Sequence, residues 1–121
     1  MIVVFAFLFS VAVITPASIN AQGDNYVTSI IDGNCTTTPD QDILFNDHVH
    51  KVGIPLFTRS ATSTYYGDGI IYCVKAINQQ SEEVGGHVNI TKGGVGHTFV
   101  NIEMKSFVSH GIDFRISIYG K

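Results

Sequence analysis

The residues of this chain whose types and spacing invite chemistry are two cysteines, five histidines, a run of glycines and two Asn-x-Thr tripeptides. Cys35 and Cys73 lie too far apart for a CxxC redox or zinc motif. An even cysteine count points instead to one disulfide made in an oxidising compartment. Closing a loop of about 39 residues would stabilise the fold by about 4 kcal/mol through loop-closure entropy; two buried free thiols are the other reading. Asn34-Cys35-Thr36 and Asn89-Ile90-Thr91 are acceptor sequons for N-glycosylation. His48 and His50 form an HxH pair, which on a strand sets both imidazoles on one face and Asp47 on the other. That pair is half a metal site, and its further ligands would have to come from His87, His97 or His110. Ordinary surface histidines are the better reading of the pair, and no metal is assigned.

Lys92-Gly93-Gly94-Val95-Gly96 has the look of a phosphate loop but fails its test. A P-loop needs GxxxxGK[ST] between strand and helix, and here the lysine precedes the glycines. Glycines that permit positive φ in a hairpin account for the motif. His87 and His97 flank this hairpin, a placement that would let them neighbour each other. Gly93, Gly94, Gly96, His87 and His97 are accordingly the candidate binding residues. No G-x-S-x-G elbow is present, and Glu82-Glu83 falls in a polar turn rather than in a poised carboxylate pair. The chain is therefore expected to be a non-enzyme with no catalytic residue, cofactor or metal.

Composition narrows the class. The 121 residues are 45% apolar and only 14% charged, with 7 Lys+Arg against 10 Asp+Glu and a net charge of −3. One domain fits this length. The basic footprint of a nucleic-acid binder is absent, so direct nucleic-acid contact is not expected. Ile2 to Ile14 is an apolar run broken only by Ser10. It is shorter than the roughly 20 residues a membrane helix needs, and it suits the core of a signal peptide. Pro16 ends it, and Ala21 before Gln22 is a cleavage point. Residues 1–21 are thus expected to be a helical signal peptide, and residues 22–121 a secreted domain with no membrane anchor.

The elements that must position the candidate residues read as strands. Short runs rich in Val, Ile, Thr, Phe and Tyr alternate with glycine clusters, the pattern of an all-β sandwich or barrel. The expectation is a small antiparallel β-sandwich of six or seven strands, near 26–31, 42–50, 56–65, 69–77, 87–92, 97–106 and 112–119. The last two show the clearest alternation: Val100, Ile102 and Met104 on one face, then Ile112, Phe114, Ile116 and Ile118. Joined as a hairpin through Phe107 to Gly111, they would set Met104 opposite Phe114, Ile102 opposite Ile116 and Glu103 opposite Arg115. Core and charge pairing would then select one register.

Gly69-Ile70-Ile71-Tyr72-Cys73-Val74-Lys75-Ala76-Ile77-Asn78-Gln79, Gly85-Gly86-His87-Val88-Asn89-Ile90, Gly93-Gly94-Val95-Gly96-His97 and Gly111-Ile112-Asp113-Phe114 together resemble the arthropod family of multiprotein bridging factor 2. Many of its members are labelled salivary secreted peptides. The likeness is specific from about 69 to 120 and thinner before, where Gly53-Ile54-Pro55-Leu56 matches best. It implies one small β-rich domain behind a signal peptide. The family name implies a transcriptional co-activator that bridges an activator to the basal machinery. The loop Phe107-Val108-Ser109-His110-Gly111 departs from the basic, glycine-rich loop of the family pattern, which argues against an anionic partner there.

Two readings of function follow. The first is a secreted, non-enzymatic protein that binds a protein or small-molecule partner, favoured by signal, cysteines and sequons. The second is the co-activator, against which stands the lack of any Lys/Arg cluster for nuclear import. A metal-binding or hydrolytic enzyme is a remote third.

Overall fold

The computed structural model describes residues 27–121. The expected signal peptide, its cleavage point and the first residue of the expected first strand lie outside the described residues. Among the described residues seven strands follow in order: β1 Ile30–Gly33, β2 Ile43–Lys51, β3 Ser60–Tyr66, β4 Ile71–Asn78, β5 His87–Gly93, β6 Phe99–Lys105 and β7 Ile112–Gly120, with a short 3-10 turn at Asp40–Asp42 before β2. All seven expected strands are present. They form two antiparallel sheets, one of order β1-β4-β7-β2 and the other of order β3-β6-β5. The small antiparallel β-sandwich read from the alternation is the observed architecture. Among the described residues no helix is long and apolar enough to cross a membrane.

The core is the seam between the sheets. Ile71, Val74, Ala76, Ile112, Phe114, Ile116 and Ile118 come from the four-stranded sheet, and Val88, Val100, Ile102 and Met104 from the other. In most of these strands apolar and polar residues alternate at period two, which puts one set inside; in β4 an irregularity between Ile71 and Cys73 shifts the phase, and Cys73 and Val74 are both buried. One polar link also crosses the seam: the Ser63 hydroxyl donates to the Asp47 carboxylate at 3.0 Å, and Ser63 is buried.

The expected hairpin of β6 with β7 is not what forms. Met104 faces Ala61 and Val88 along the backbone ladders, while Phe114 faces Val49 and Asn78. Glu103 lies across from Thr62 and Asn89, and Arg115 across from His48 and Ile77, so the two charges are in different sheets. The faces were right and the neighbours were wrong. Alternation says which side chains point inward, but hairpin and face-to-face packing bury the same ones. Here both edges of β7 are taken by β4 and β2, and both edges of β6 by β3 and β5. The departure begins at Ser106, a buried residue whose hydroxyl accepts the Arg59 N–H at 2.7 Å while its own N–H donates to the Arg59 carbonyl at 2.8 Å. Held there, the chain crosses to the opposite sheet instead of turning back.

Candidate functional site

The disulfide is formed, joining Cys35 to Cys73 across a sequence separation of 38. It ties the loop after β1 to the first part of β4, where Cys73 is fully buried. Asn34 is exposed beside it, and the Thr36 hydroxyl donates to its side-chain carbonyl at 2.8 Å. The other sequon asparagine, Asn89, sits exposed on β5.

The glycine motif is a turn. Gly93, Gly94 and Gly96 all have positive φ, at 68°, 110° and 88°. Those values are accessible to glycine at little cost and let β5 reverse into β6. The turn is also docked: Gly96 N–H donates to the Ile71 carbonyl at 2.8 Å and Ile71 N–H to that of His97 at 2.9 Å. His97 is exposed here, its ring edge-on to Phe99 at 5.4 Å, and Phe99 in turn stacks on Tyr66 at 5.5 Å. His87 is not nearby. It begins β5 opposite Lys105, so the seven residues of β5 separate the two histidines that the sequence suggested as neighbours.

Between them runs the outer face of the three-stranded sheet. Thr64 donates to the Asn101 side-chain carbonyl at 2.6 Å, and the Asn101 amide donates to Thr91 at 2.6 Å, a ladder across all three strands. At the aromatic end stand Tyr66, Phe99 and His97. At the other a hollow of about 340 Å³ is lined by Thr62, His87, Asn89, Glu103 and Lys105, with Val27 beside it. This face therefore gathers His87, Gly93 and His97 of the expected residues along one surface, but as two separate ends rather than one pocket. Hydroxyl, amide and aromatic groups in this arrangement can bind and stack.

The HxH pair projects from β2 as expected, with ring centroids 6.1 Å apart. The partner of His48 is Asp113, whose carboxylate lies 2.6 Å from Nε2. Among the described residues no group of three His, Cys, Asp or Glu is placed to hold a metal ion. Asp47 points the other way, as its position in the strand requires.

A second hollow, of about 400 Å³, opens beside the disulfide and is lined by Asn34, Thr37, Asp42, Ile70, Tyr72 and Lys121. Sequence reading missed it, because Asp42 and Tyr72 are 30 residues apart and carry no motif. The Tyr72 hydroxyl donates to the nearly buried Asp42 carboxylate at 2.6 Å. That hydrogen bond, followed by burial and the carboxylate charge, pushes the phenol up to about 12. The Lys121 ammonium lies 6.0 Å from the Tyr72 ring centroid, so its charge favours the ring face. A phenol held protonated in this way serves as a donor and not as a base at neutral pH.

Compared with known proteins, residues 36–120 match the family described as transcription activator MBF2. The chain belongs to that family. The MBF2 match covers β2 to β7 and most of the lining of both hollows, while β1, Val27, Asn34, Cys35 and Lys121 lie outside it. A relative called "Probable salivary secreted peptide", from Bombus ignitus, is 39% identical over 51 residues, which is 42% of this chain and 38% of the relative. The aligned stretch thus spans well under half the length of that relative. No solved structure matches this member of the MBF2 family.

Proposed function

We propose that this MBF2-family chain is an exported, non-enzymatic protein that acts by binding a partner. The observation that carries the reading is the Cys35–Cys73 disulfide, because a bond of this kind persists in oxidising compartments and is reduced in the cytosol and nucleus. The expected signal peptide over residues 1–21 agrees, as does the word "secreted" in the name of the Bombus relative. The sequons agree too. Asn34 stands exposed in a loop, with Thr36 already hydrogen-bonded to it, and Asn89 is exposed on β5; both side chains are accessible to a glycan. Binding is assigned to the outer face of the three-stranded sheet and its ends, where His87, His97 and the Gly93–Gly96 turn sit on a rigid scaffold.

The family description supports a second reading, a co-activator that works in the nucleus. Intact mass and N-terminal sequencing of the natural protein, recovered separately from medium and nuclei, distinguishes the two. Export yields disulfide-bonded protein in the medium that begins at Gln22. Processed protein concentrated in nuclei, and captured with basal transcription factors, would establish the co-activator instead.

A further inference from the structure

The two sheets end in four edge strands, β1, β2, β3 and β5, and an unpaired edge is a row of N–H and C=O groups open to another chain. Three of the four are guarded. β1 is only four residues long and holds Asp32. β2 shifts register between Ile43 and Phe45 and turns Asp47 inward onto Ser63. β5 shifts register between Ile90 and Lys92, and its Val88 N–H already donates to the Val27 carbonyl at 2.9 Å. Short length, bulges, an inward charge and a covering segment all keep an edge from pairing with a stranger.

β3 has none of these. Ser60–Tyr66 reads Ser-Ala-Thr-Ser-Thr-Tyr-Tyr, seven residues without a charge or a proline, and its pairing with β6 runs without a shift. The ends of that ladder fix the direction of its free groups. Ser106 N–H donates to the Arg59 carbonyl at 2.8 Å, and Gly67 N–H to that of Thr98 at 3.0 Å. Hydrogen-bonded positions alternate along an antiparallel pair, so Ala61, Ser63 and Tyr65 bond to β6 between them. Ser60, Thr62, Thr64 and Tyr66 therefore aim their N–H and C=O away from β6. Lys51 caps the first of these, its ammonium lying 2.8 Å from the Ser60 carbonyl. Among the described residues no backbone hydrogen bond beyond the β6 ladder reaches Thr62, Thr64 or Tyr66. Tyr66 is also 75% exposed.

We propose that two copies of this chain pair β3 with β3, antiparallel about a two-fold axis at Thr64, so that two three-stranded sheets become one sheet of six. The open groups choose the register. Three outward residues spaced by two match themselves when Thr64 faces Thr64 and Thr62 faces Tyr66 of the second copy. Each facing pair then exchanges two N–H···O bonds. The side chains agree, since threonine beside threonine and threonine beside an aromatic ring are favourable cross-strand pairs. Charge agrees as well. Carried two residues further, the register sets Ser60, where Lys51 is bound, beside the exposed Asp68 of the second copy. Such an interface is isologous, each copy giving the same residues. It goes beyond the partner-binding reading and does not depend on it: the outer face of the sheet stays open and becomes continuous across both copies.

Sedimentation velocity of the folded, disulfide-bonded chain over a concentration series should show a monomer–dimer equilibrium. Hydrogen exchange followed by NMR should slow at the Thr62, Thr64 and Tyr66 amides as concentration rises, while the Ser63 and Tyr65 amides are protected throughout. Thr64→Lys sets two ammonium groups face to face at the axis and should weaken the dimer by about fivefold at low salt. Thr64→Glu should weaken it likewise, and mixing the two variants should restore it as a one-to-one pair. Thr64→Pro removes an N–H that β6 does not use, so it should abolish the dimer with the near-ultraviolet circular dichroism of the fold unchanged. A chain that stays monomeric throughout, or a dimer indifferent to Thr64→Lys, overturns the proposal. So does a mixture of the charged variants that does not restore the dimer, or exchange at Thr62, Thr64 and Tyr66 that does not slow.

Discussion

The two ends of the sandwich are held by different chemistry. At one, the Cys35–Cys73 bond, the Tyr72–Asp42 hydrogen bond and the backbone pairing of Ile70 with Lys121 tie loops to the sheet. At the other, the loops 52–59 and 106–111 hold each other by backbone and hydroxyl hydrogen bonds, with glycine where they press closest. A Cβ on Gly111 would come within 2.1 Å of the Lys51 carbonyl oxygen. The first end uses its side chains to stabilise the fold. The second uses serine, lysine and arginine side chains in the same way, but it leaves Leu56 and Phe57 in water. Side chains that folding leaves idle can be replaced at small cost.

Removing the disulfide should have the largest effect. Replacing both cysteines by serine is expected to lower unfolding free energy by about 4 kcal/mol, read from chemical denaturation; a loss below about 1 kcal/mol would mean that polar links alone secure that end. Gly111→Ala should cost about 1–3 kcal/mol, since backbone must give way to backbone. A neutral result would show that the two loops at that end are not clamped.

Alkali probes the disulfide end by another route. With its folded value raised from 10.0 to about 12, Tyr72 stabilises the fold fully below pH 10.0. Between those values the unfolded chain binds fewer protons than the folded one, so stability falls as pH rises through the window. Phenolate absorbance should show Tyr72 titrating late, and Asp42→Asn should bring it down toward 10.0. A Tyr72 titration unchanged in Asp42→Asn would remove Asp42 as its partner.

The smallest effect is the most telling. Leu56→Gly deletes a large apolar side chain, yet should change stability by less than about 0.5 kcal/mol, because relief of the positive φ offsets glycine's added freedom in the unfolded chain. A cost typical of a core leucine, about 2–5 kcal/mol, would show that this end is part of the core after all.

Much of the fold was legible in local pattern, and the misses are informative. The first strand begins at Ile30, later than the expected 26, and the third at Ser60 rather than 56. In the second case Pro55 and the positive φ of Leu56 make a turn where β-rich composition suggested extended chain. For the candidate residues, the turn role of Gly93, Gly94 and Gly96 was readable because positive φ is a local demand. The separation of His87 from His97 is also local, since a strand of seven residues extends about 23 Å. The Asp42–Tyr72 pair and the Leu56–Ser109 hydrogen bond were invisible, because neither residue type nor spacing marks them.

What the sequence determined by itself was the inside and outside of the regularly alternating strands, such as β6 and β7, and the pairing of its only two cysteines. Period-two alternation settles the first, and arithmetic the second. Which strands became neighbours was decided by the tertiary structure. Val100, Ile102 and Met104 are buried whether they pair beside β7 or pack across from it, so apolar burial cannot choose between the two arrangements. The choice falls to contacts that exist only once both sheets are assembled: Ser106 bound to Arg59, Gly111 against Lys51, and both edges of β7 already occupied. The same crossing brings two turns together at one end, which no local pattern in either segment announces.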